Sequence, residues 1–323
     1  MFDKLLITGG TGSFGTAFVK KVIDSNLSHE VIVYSRDELK QFEMQQKFTS
    51  AKIKYVLGDV RDFIRLRQSL EGVDAVIHAA AMKQIPASEN NPIEAIKTNI
   101  IGADNIVNAC NQAGVAKVIA LSTDKAANPV NLYGATKLCS DKLIVAGNYV
   151  IENRGTKMSV VRYGNVLGSR GSVIPFFKLK SQEGIIPITD PNMTRFWISI
   201  NSGVDFVLKS LEIMQGGEIF VPKIPSFKVI DVAKVVAPGI ETQIVGIRPG
   251  EKLHEVMITE YDSLNTKEFD SFYVILSPEL KKSNFYEING KRVEVGFSYS
   301  SNTNKDWHSL ESFKSTLIEN DLL

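Results

Sequence analysis

Asp124 and Lys125 stand side by side just after a strand-like run, Val118 to Leu121, and Lys125 lies eight residues before Tyr133. Tyr133 and Lys137, four apart, share one helix face, where the ammonium can lower the phenol pKa. Such a pair suits the proton work that accompanies hydride transfer. An acid and a base added next to it suit an elimination, so the four residues together read as elimination chemistry inside a redox site. As a base, Lys125 must be partly neutral, which requires desolvation or a nearby cation; Lys83 and Lys137 are the candidate cations. The bland alternative is a surface ion pair between Asp124 and Lys125, worth at most about 1 kcal/mol.

Redox chemistry needs a cofactor, and the chain offers a place for one. Thr8-Gly9-Gly10-Thr11-Gly12-Ser13-Phe14-Gly15 follows the first strand and opens the first helix. Gly9 and Gly12 let backbone amides approach a pyrophosphate, Gly15 permits close helix–strand packing, and the helix N-terminus favours the anion. The second strand runs out at Tyr34-Ser35-Arg36 with no acidic side chain at its tip. A hydroxyl beside a guanidinium suits a 2'-phosphate, so the reading is NADP; Asp37 would argue for NAD if the strand ran one or two residues longer, and Lys40 stands beside it. Asp59 and Val60 follow the third strand, where they either address the adenine edge or form a simple turn. Ala79-Ala80-Ala81 leave room for the cofactor after the fourth strand, Lys83 points a cation toward the site, and His78 reads as a packed histidine.

The elements that must position these residues are legible as well. Short apolar runs, Leu5 to Ile7, Val31 to Tyr34, Ile53 to Leu57, Ala75 to Ile77, Val118 to Leu121 and Met158 to Tyr163, alternate with amphipathic stretches. That alternation predicts βαβ units and an α/β fold, a Rossmann-type doubly wound parallel sheet. From about Gly168 the sequence loosens into a segment rich in Pro, Gly and Arg, predicting a smaller C-terminal substrate-binding lobe. The expected division is 1–167 for the cofactor domain, with about 198–222 packing back on it, and 168–323 mainly for the lobe. A helix is expected from Ser202 to Met214 and another within Trp307 to Leu323.

Composition excludes several classes. A formal net charge of +1 over 323 residues gives no electrostatic reason to expect nucleic acid or an anionic membrane. Cys110 and Cys139 have neither metal-ligand nor CxxC spacing and read as buried thiols in a reducing compartment, with no metal site. No run approaches the ~20 apolar residues of a spanning helix, and the start lacks a signal-peptide pattern, so a cytoplasmic protein without a membrane partner is expected.

Taken together, the Gly-rich turn, the Ser122-Thr123 position, Tyr133-x-x-x-Lys137 and the C-terminal lobe resemble the extended short-chain dehydrogenase/reductase superfamily. Within it, Ser35-Arg36-Asp37-Glu38-Leu39-Lys40, Ser122-Thr123-Asp124-Lys125-Ala126, Asn131 to Lys137, Arg162-Tyr163-Gly164-Asn165, Met193 to Trp197 and Arg248 to Glu255 are similar to the inverting UDP-N-acetylglucosamine 4,6-dehydratases, of the type that opens pseudaminic acid synthesis. The resemblance reaches to about residue 260.

It implies that NADP oxidises C4 of UDP-N-acetylglucosamine, that water is then lost across C5 and C6, and that C5 is inverted. The product would be UDP-2-acetamido-2,6-dideoxy-beta-L-arabino-hex-4-ulose. Tyr133, with Lys137, would take the C4 hydroxyl proton, and Thr123 would hydrogen-bond the same oxygen. Lys125 would remove the C5 proton and Asp124 protonate the departing C6 hydroxyl. Glu38, Leu39, Leu121 and Ser122 join the cofactor set. Lys83, Asn165, Val166, Arg170, Thr194, Arg195, Arg248 and Glu251 form the substrate set, arginine suiting a pyrophosphate by its planar fork; Arg162, at a strand end, reads as structural. A homo-oligomer is also implied. Two other readings stay open, a UDP-sugar 4-epimerase and a non-catalytic NADP-binding scaffold.

Overall fold

Strands that are apolar on both faces are stable only between two helix layers, and this chain builds that arrangement. The computed structural model describes residues 2–150, 154–169, 171–280 and 284–323. Its first six strands are β1 (Phe2–Thr8), β2 (Ser28–Ser35), β3 (Ile53–Leu57), β4 (Ala75–His78), β5 (Lys117–Thr123) and β6 (Lys157–Tyr163). All are parallel, in the spatial order β3-β2-β1-β4-β5-β6. Leu5, Leu6, Ile7, Val76, Ile77, Val118 and Ile119 are fully buried, each stabilising the fold by about 1.5–3 kcal/mol relative to exposure. The predicted α/β class and doubly wound sheet are thus observed.

Strand order reverses between β1 and β4, and a crevice opens beyond the strand ends there. Register keeps those ends level: Thr8 lies opposite both Tyr34 and His78, and Thr123 opposite Tyr163. Every loop that carries a candidate residue of the first half therefore leaves from one edge of the sheet.

The sheet continues beyond β6. Glu218–Pro222 pairs parallel with β6, Phe272–Leu276 pairs antiparallel with Glu218–Pro222, and Thr266–Glu268 and Lys291–Arg292 extend that edge. The tail past residue 260, where the sequence offered little pattern, thus supplies three strands of this sheet among the described residues. The helix Ile200–Ile213 packs back on the helix Ser13–Asp24, where Lys21 pairs with Asp205 at 2.7 Å.

A second apolar cluster, including Ile186, Ile188, Trp197, Phe227 and Val232, forms the core of the C-terminal region. The terminal helix Leu310–Glu319 closes it with Phe313, whose ring centroid lies 4.3 Å from that of Phe227 and 5.6 Å from that of Trp197. Cys110 is buried, but Cys139 is exposed, which corrects the reading of both as buried thiols: its position in the helix Leu132–Ala146 faces outward. Among the described residues no helix is long and apolar enough to cross a membrane.

Candidate active site

A glycine-rich turn makes a cradle only if side chains would block it, and here they would. Gly9 has φ +64°, and a Cβ on it would lie 2.9 Å from Ala80 Cα; one on Gly15 would lie 2.4 Å from the Gly10 carbonyl. Gly12 is the N-cap of the helix Ser13–Asp24, and no side chain caps it, so the first-turn amides suit an anion. These residues wall a cleft of about 750 Å³, together with Thr11, Ser13, Phe14, Val60, Ala79, Lys83, Leu121, Ser122, Thr123, Tyr133 and Lys137. The residues present therefore fit a dinucleotide.

At the far end, β2 stops at Ser35, and Ser35, Arg36, Asp37 and Lys40 line the cleft. Asp37 caps the helix Glu38–Lys47: its carboxylate accepts the Lys40 amide at 3.0 Å and pairs with the Lys40 ammonium. Glu38 and Leu39 start that helix and do not line the cleft, and neither does Asp59. The Asp59 carboxylate accepts Arg61 Nε at 2.9 Å and Nη2 at 2.7 Å, with Arg36 at 3.6 Å. His78 is buried against Thr8, Nδ1 to Oγ1 2.9 Å, as a packed histidine should be.

Sequence reasoning missed what steadies the loop carrying Ala79 to Lys83. Asn99 exchanges two hydrogen bonds with the Met82 backbone, 2.8 and 2.9 Å, and reaches Thr136 Oγ1 at 3.0 Å. It lies in a π-helical turn, Lys97–Ile101, a local widening that recurs at functional sites. The available signal was the polar pair Thr98-Asn99 interrupting an apolar run.

Beyond β5 the chain makes one tight turn, Asp124–Ala126. Asp124 is fully buried, and its Oδ1 accepts both the Thr123 hydroxyl at 2.8 Å and the Lys125 ammonium at 3.0 Å. Lys125 Nζ also donates to Asn165 Oδ1 at 3.3 Å and lies 3.5 Å from Glu255 Oε1. A buried contact of this kind excludes the surface ion pair.

The electrostatics differ from the sequence expectation in two respects, both traceable to neighbours. Burial alone lowers the Lys125 pKa, but the carboxylates of Asp124 and Glu255 override it and hold the ammonium above the usual lysine range. The opposing cation is Arg195, rather than Lys83 or Lys137. Burial likewise pushes the Tyr133 phenol up to about 12, Asp124 adding to it, and the strongest downward pull comes from Lys125 rather than Lys137. Lys137 is buried and lowered by that burial, with Asp141 acting against it. Asp141 in turn accepts Ser122 Oγ at 2.8 Å and Arg162 Nη2 at 3.2 Å, which gives Arg162 a structural task.

A second cleft, of about 360 Å³, adjoins the first and shares Lys125, Asn165, Gly171, Ser172 and Val173 with it. Arg195, Arg248 and Glu251 line this smaller cleft; Val166 and Lys83 line the larger one. Arg248 pairs with Glu251. Arg195 spends its fork on the carbonyls of Thr194, Leu253 and Lys252 at 2.7, 3.1 and 2.9 Å, so it braces that loop. Thr194 lines neither cleft and binds His254 Nδ1 and Ser301 Oγ. Arg170 lies outside the described residues. Lys252 and Glu255, quoted in the Arg248 to Glu255 segment but given no role, both line the smaller cleft beside Lys125.

A model of the family described as polysaccharide biosynthesis protein matches residues 5–277. The chain is 56% identical over 321 residues to the UDP-N-acetylglucosamine 4,6-dehydratase (inverting) of Campylobacter jejuni, covering 96% of each chain. It is 38% identical over 324 residues to the UDP-glucose 4-epimerase of Rickettsia canadensis, covering 97% of this chain and 95% of the epimerase. The structure of Pen from Bacillus thuringiensis matches it with a TM-score of 0.92 at 36% identity, over 99% of this chain and 98% of that one.

Proposed function

The chain belongs to the polysaccharide biosynthesis protein family, and from that premise we propose that it is a hydro-lyase, a UDP-N-acetylglucosamine 4,6-dehydratase that inverts C5. The observation that carries this reading is the 3.0 Å contact between Lys125, which lines both clefts, and Asp124, which is fully buried and lines neither. An epimerase that returns hydride to C4 has no use for an acid and a base there. The 56% identity to the inverting dehydratase, against 38% to the epimerase, supports the same choice.

The larger cleft, with Gly9, Gly12, Ser13, Leu121 and Lys137 in its wall, would hold a nicotinamide dinucleotide, which when bound would supply hydride exchange with the sugar at C4 and C6. We assign NADP, because Ser35, Arg36 and Lys40 line the end of the cleft and the carboxylate of Asp37, which lines it too, is engaged as a helix cap and with the Lys40 ammonium. Tyr133 accepts the C4 hydroxyl proton, its phenolate favoured first by the Lys125 ammonium and then by the Thr123 hydroxyl, with Lys137 buried one helical turn further on. Once C4 is a ketone, the C5 hydrogen becomes acidic enough for an amine to remove. Asp124 must then hold a proton that Lys125 lacks. One proton crossing from Lys125 Nζ to Asp124 Oδ1 makes the base and the acid together. Lys125 takes the C5 proton, Asp124 protonates the C6 hydroxyl, and water leaves. Arg248, and Asn165 beside Lys125, hold the UDP-sugar. The same reading gives a cytoplasmic homo-oligomer that opens pseudaminic acid synthesis; the near-neutral charge supports the absence of nucleic-acid and membrane partners.

Proton NMR of the purified protein with UDP-N-acetylglucosamine in deuterated buffer tests the reading. A 6-deoxy-4-keto product with inverted C5 is expected, and a C4 epimer as the sole product would overturn it. In Lys125→Ala, deuterium uptake at C5 should vanish while NADP still binds; normal uptake would remove Lys125 from the role of base.

A further inference from the structure

Glu255 lines the smaller cleft and has no part in the steps above, yet the charges of the site converge on it. Its Oε1 lies 3.5 Å from Lys125 Nζ and 3.8 Å from Arg195 Nε, and its Oε2 lies 3.6 Å from Lys252 Nζ. The residue is 2% exposed, and a carboxylate at that depth is costly unless cations and hydrogen bonds offset the loss of water. We infer that Glu255 is the positioning residue of Lys125, the group through which the C-terminal region holds that ammonium where the two clefts adjoin; this rests on the dehydratase reading.

An ammonium has three N–H donors, and three acceptors stand around this one. They are Asp124 Oδ1 at 3.0 Å, Asn165 Oδ1 at 3.3 Å and Glu255 Oε1 at 3.5 Å. Asp124 precedes Lys125 in the same turn and Asn165 follows β6, so of the three Glu255 is the one supplied by the C-terminal region. Its own place is fixed twice over. Ser301, fully buried, accepts the Glu255 amide on Oγ at 2.9 Å and donates its own amide to the Glu255 carbonyl at 2.8 Å. Lys252 ties the same loop to the chain just past the Asp124–Ala126 turn, donating to the Ala127 carbonyl at 2.6 Å.

The arrangement matters most when the proton moves. Once it has crossed to Asp124, the Asp124–Lys125 ion pair is discharged and Asn165 is neutral. Glu255 is then the carboxylate that still holds the Lys125 amine at the cleft. Arg195 and Lys252 draw on the same carboxylate, so its hold on Lys125 is shared among three cations.

The charged and titratable groups that face Lys125 are Asp124 and Glu255, which favour its ammonium, Arg195 and Lys252, which oppose it, and Tyr133. Removing the Glu255 charge therefore lets Lys125 lose its proton at lower pH. A Lys125 already neutral has no proton to pass to Asp124, and water loss then lacks its acid. The rate must fall on the alkaline side as Lys125 deprotonates.

The test is the pH profile of kcat/KM for the 6-deoxy-4-keto sugar, measured on the full-length wild type, Glu255→Gln and Glu255→Asp with NADP supplied. Glutamine keeps the shape and an oxygen acceptor but removes the charge; aspartate keeps the charge. In Glu255→Gln the alkaline limb should move to lower pH by about 1 unit or more, and in Glu255→Asp it should stay closer to the wild type. A glutamine variant that is slower with an unmoved limb overturns the inference, because a merely structural carboxylate changes rate and leaves the ionisation of Lys125 alone. So does an aspartate variant displaced as far as the glutamine one, which would put the effect in packing rather than charge. Should Glu255→Gln not fold, wild-type Lys125 decides: its acetylation by acetic anhydride, read on its own peptide by mass spectrometry, should show no midpoint below the ordinary lysine value of about 10.4, and a midpoint below it overturns the proposal. A wild type that forms no 6-deoxy-4-keto sugar overturns the dehydratase reading itself, whereas an active wild type with an unmoved limb in Glu255→Gln overturns the role of Glu255 alone.

Discussion

Charge at single residues decides what each side chain of this site can do. Lys125 is held protonated by Asp124 and Glu255, and the phenol of Tyr133 is pushed up to about 12, first by burial. In this state the site has its acid and base charged the wrong way round for elimination. The proton shift from Lys125 to Asp124 is therefore an essential part of the proposed mechanism, and it has only 3.0 Å to travel. On the proposed NADP reading Arg36 would set cofactor choice by the same arithmetic, since a charge-assisted contact to a 2'-phosphate contributes about 1.5–3 kcal/mol. Arg36→Ala should weaken NADP binding about tenfold or more and leave NAD binding within about twofold, measured by calorimetric titration; an equal loss for both would assign Arg36 to the shared part of the dinucleotide.

At the scale of elements, the helix Leu132–Ala146 is what holds Tyr133 and Lys137 against the Asp124–Ala126 turn. Asn131 caps it, accepting the Gly134 amide at 2.8 Å, and donates to the Gly250 carbonyl at 2.8 Å, which ties the helix to the C-terminal region. Gly134 allows the approach: a Cβ there would lie 2.2 Å from the Lys125 carbonyl. Exchanging glycine for alanine within a helix is ordinarily worth up to about 1 kcal/mol in the stabilising sense. Here the sign should reverse. Gly134→Ala should destabilise by about 1–3 kcal/mol in denaturant unfolding and lower kcat at least tenfold by displacing Lys125; a more stable, fully active variant would show that the turn has room to yield.

For the molecule as a whole, stability should carry the imprint of the buried histidine between β1 and β4. Burial, with Lys137 adding to it, lowers the His78 pKa from 6.5 to about 3. The native state therefore refuses a proton that the unfolded chain accepts below pH 6.5, so stability is lost as pH falls from 6.5 toward 3, at up to about 1.4 kcal/mol per pH unit. Urea unfolding at pH 7 and pH 5 should show a loss of about 2 kcal/mol in the wild type and a smaller one in His78→Asn; parallel losses would place the acid sensitivity elsewhere. The parallel sheet was legible in the sequence because both-face burial writes itself as continuous apolar runs, such as Leu5-Leu6-Ile7 and Ala75-Val76-Ile77. The glycine cradle was legible for a similar reason, since only glycine fits where backbone approaches backbone. Candidate residues such as Asp124, Lys125, Tyr133 and Lys137 stood out by type and local spacing. By itself the sequence determined this much because strand pattern, turn chemistry and helix-face spacing act over a few neighbouring residues. Tertiary structure decided the rest. Only folding brings Lys125, 130 residues away, and Arg195, 60 residues away, to meet Lys252 at the one carboxylate of Glu255. Whether Lys125 is raised or lowered, and whether an arginine meets a ligand or a carbonyl, depends on distances that no local pattern encodes.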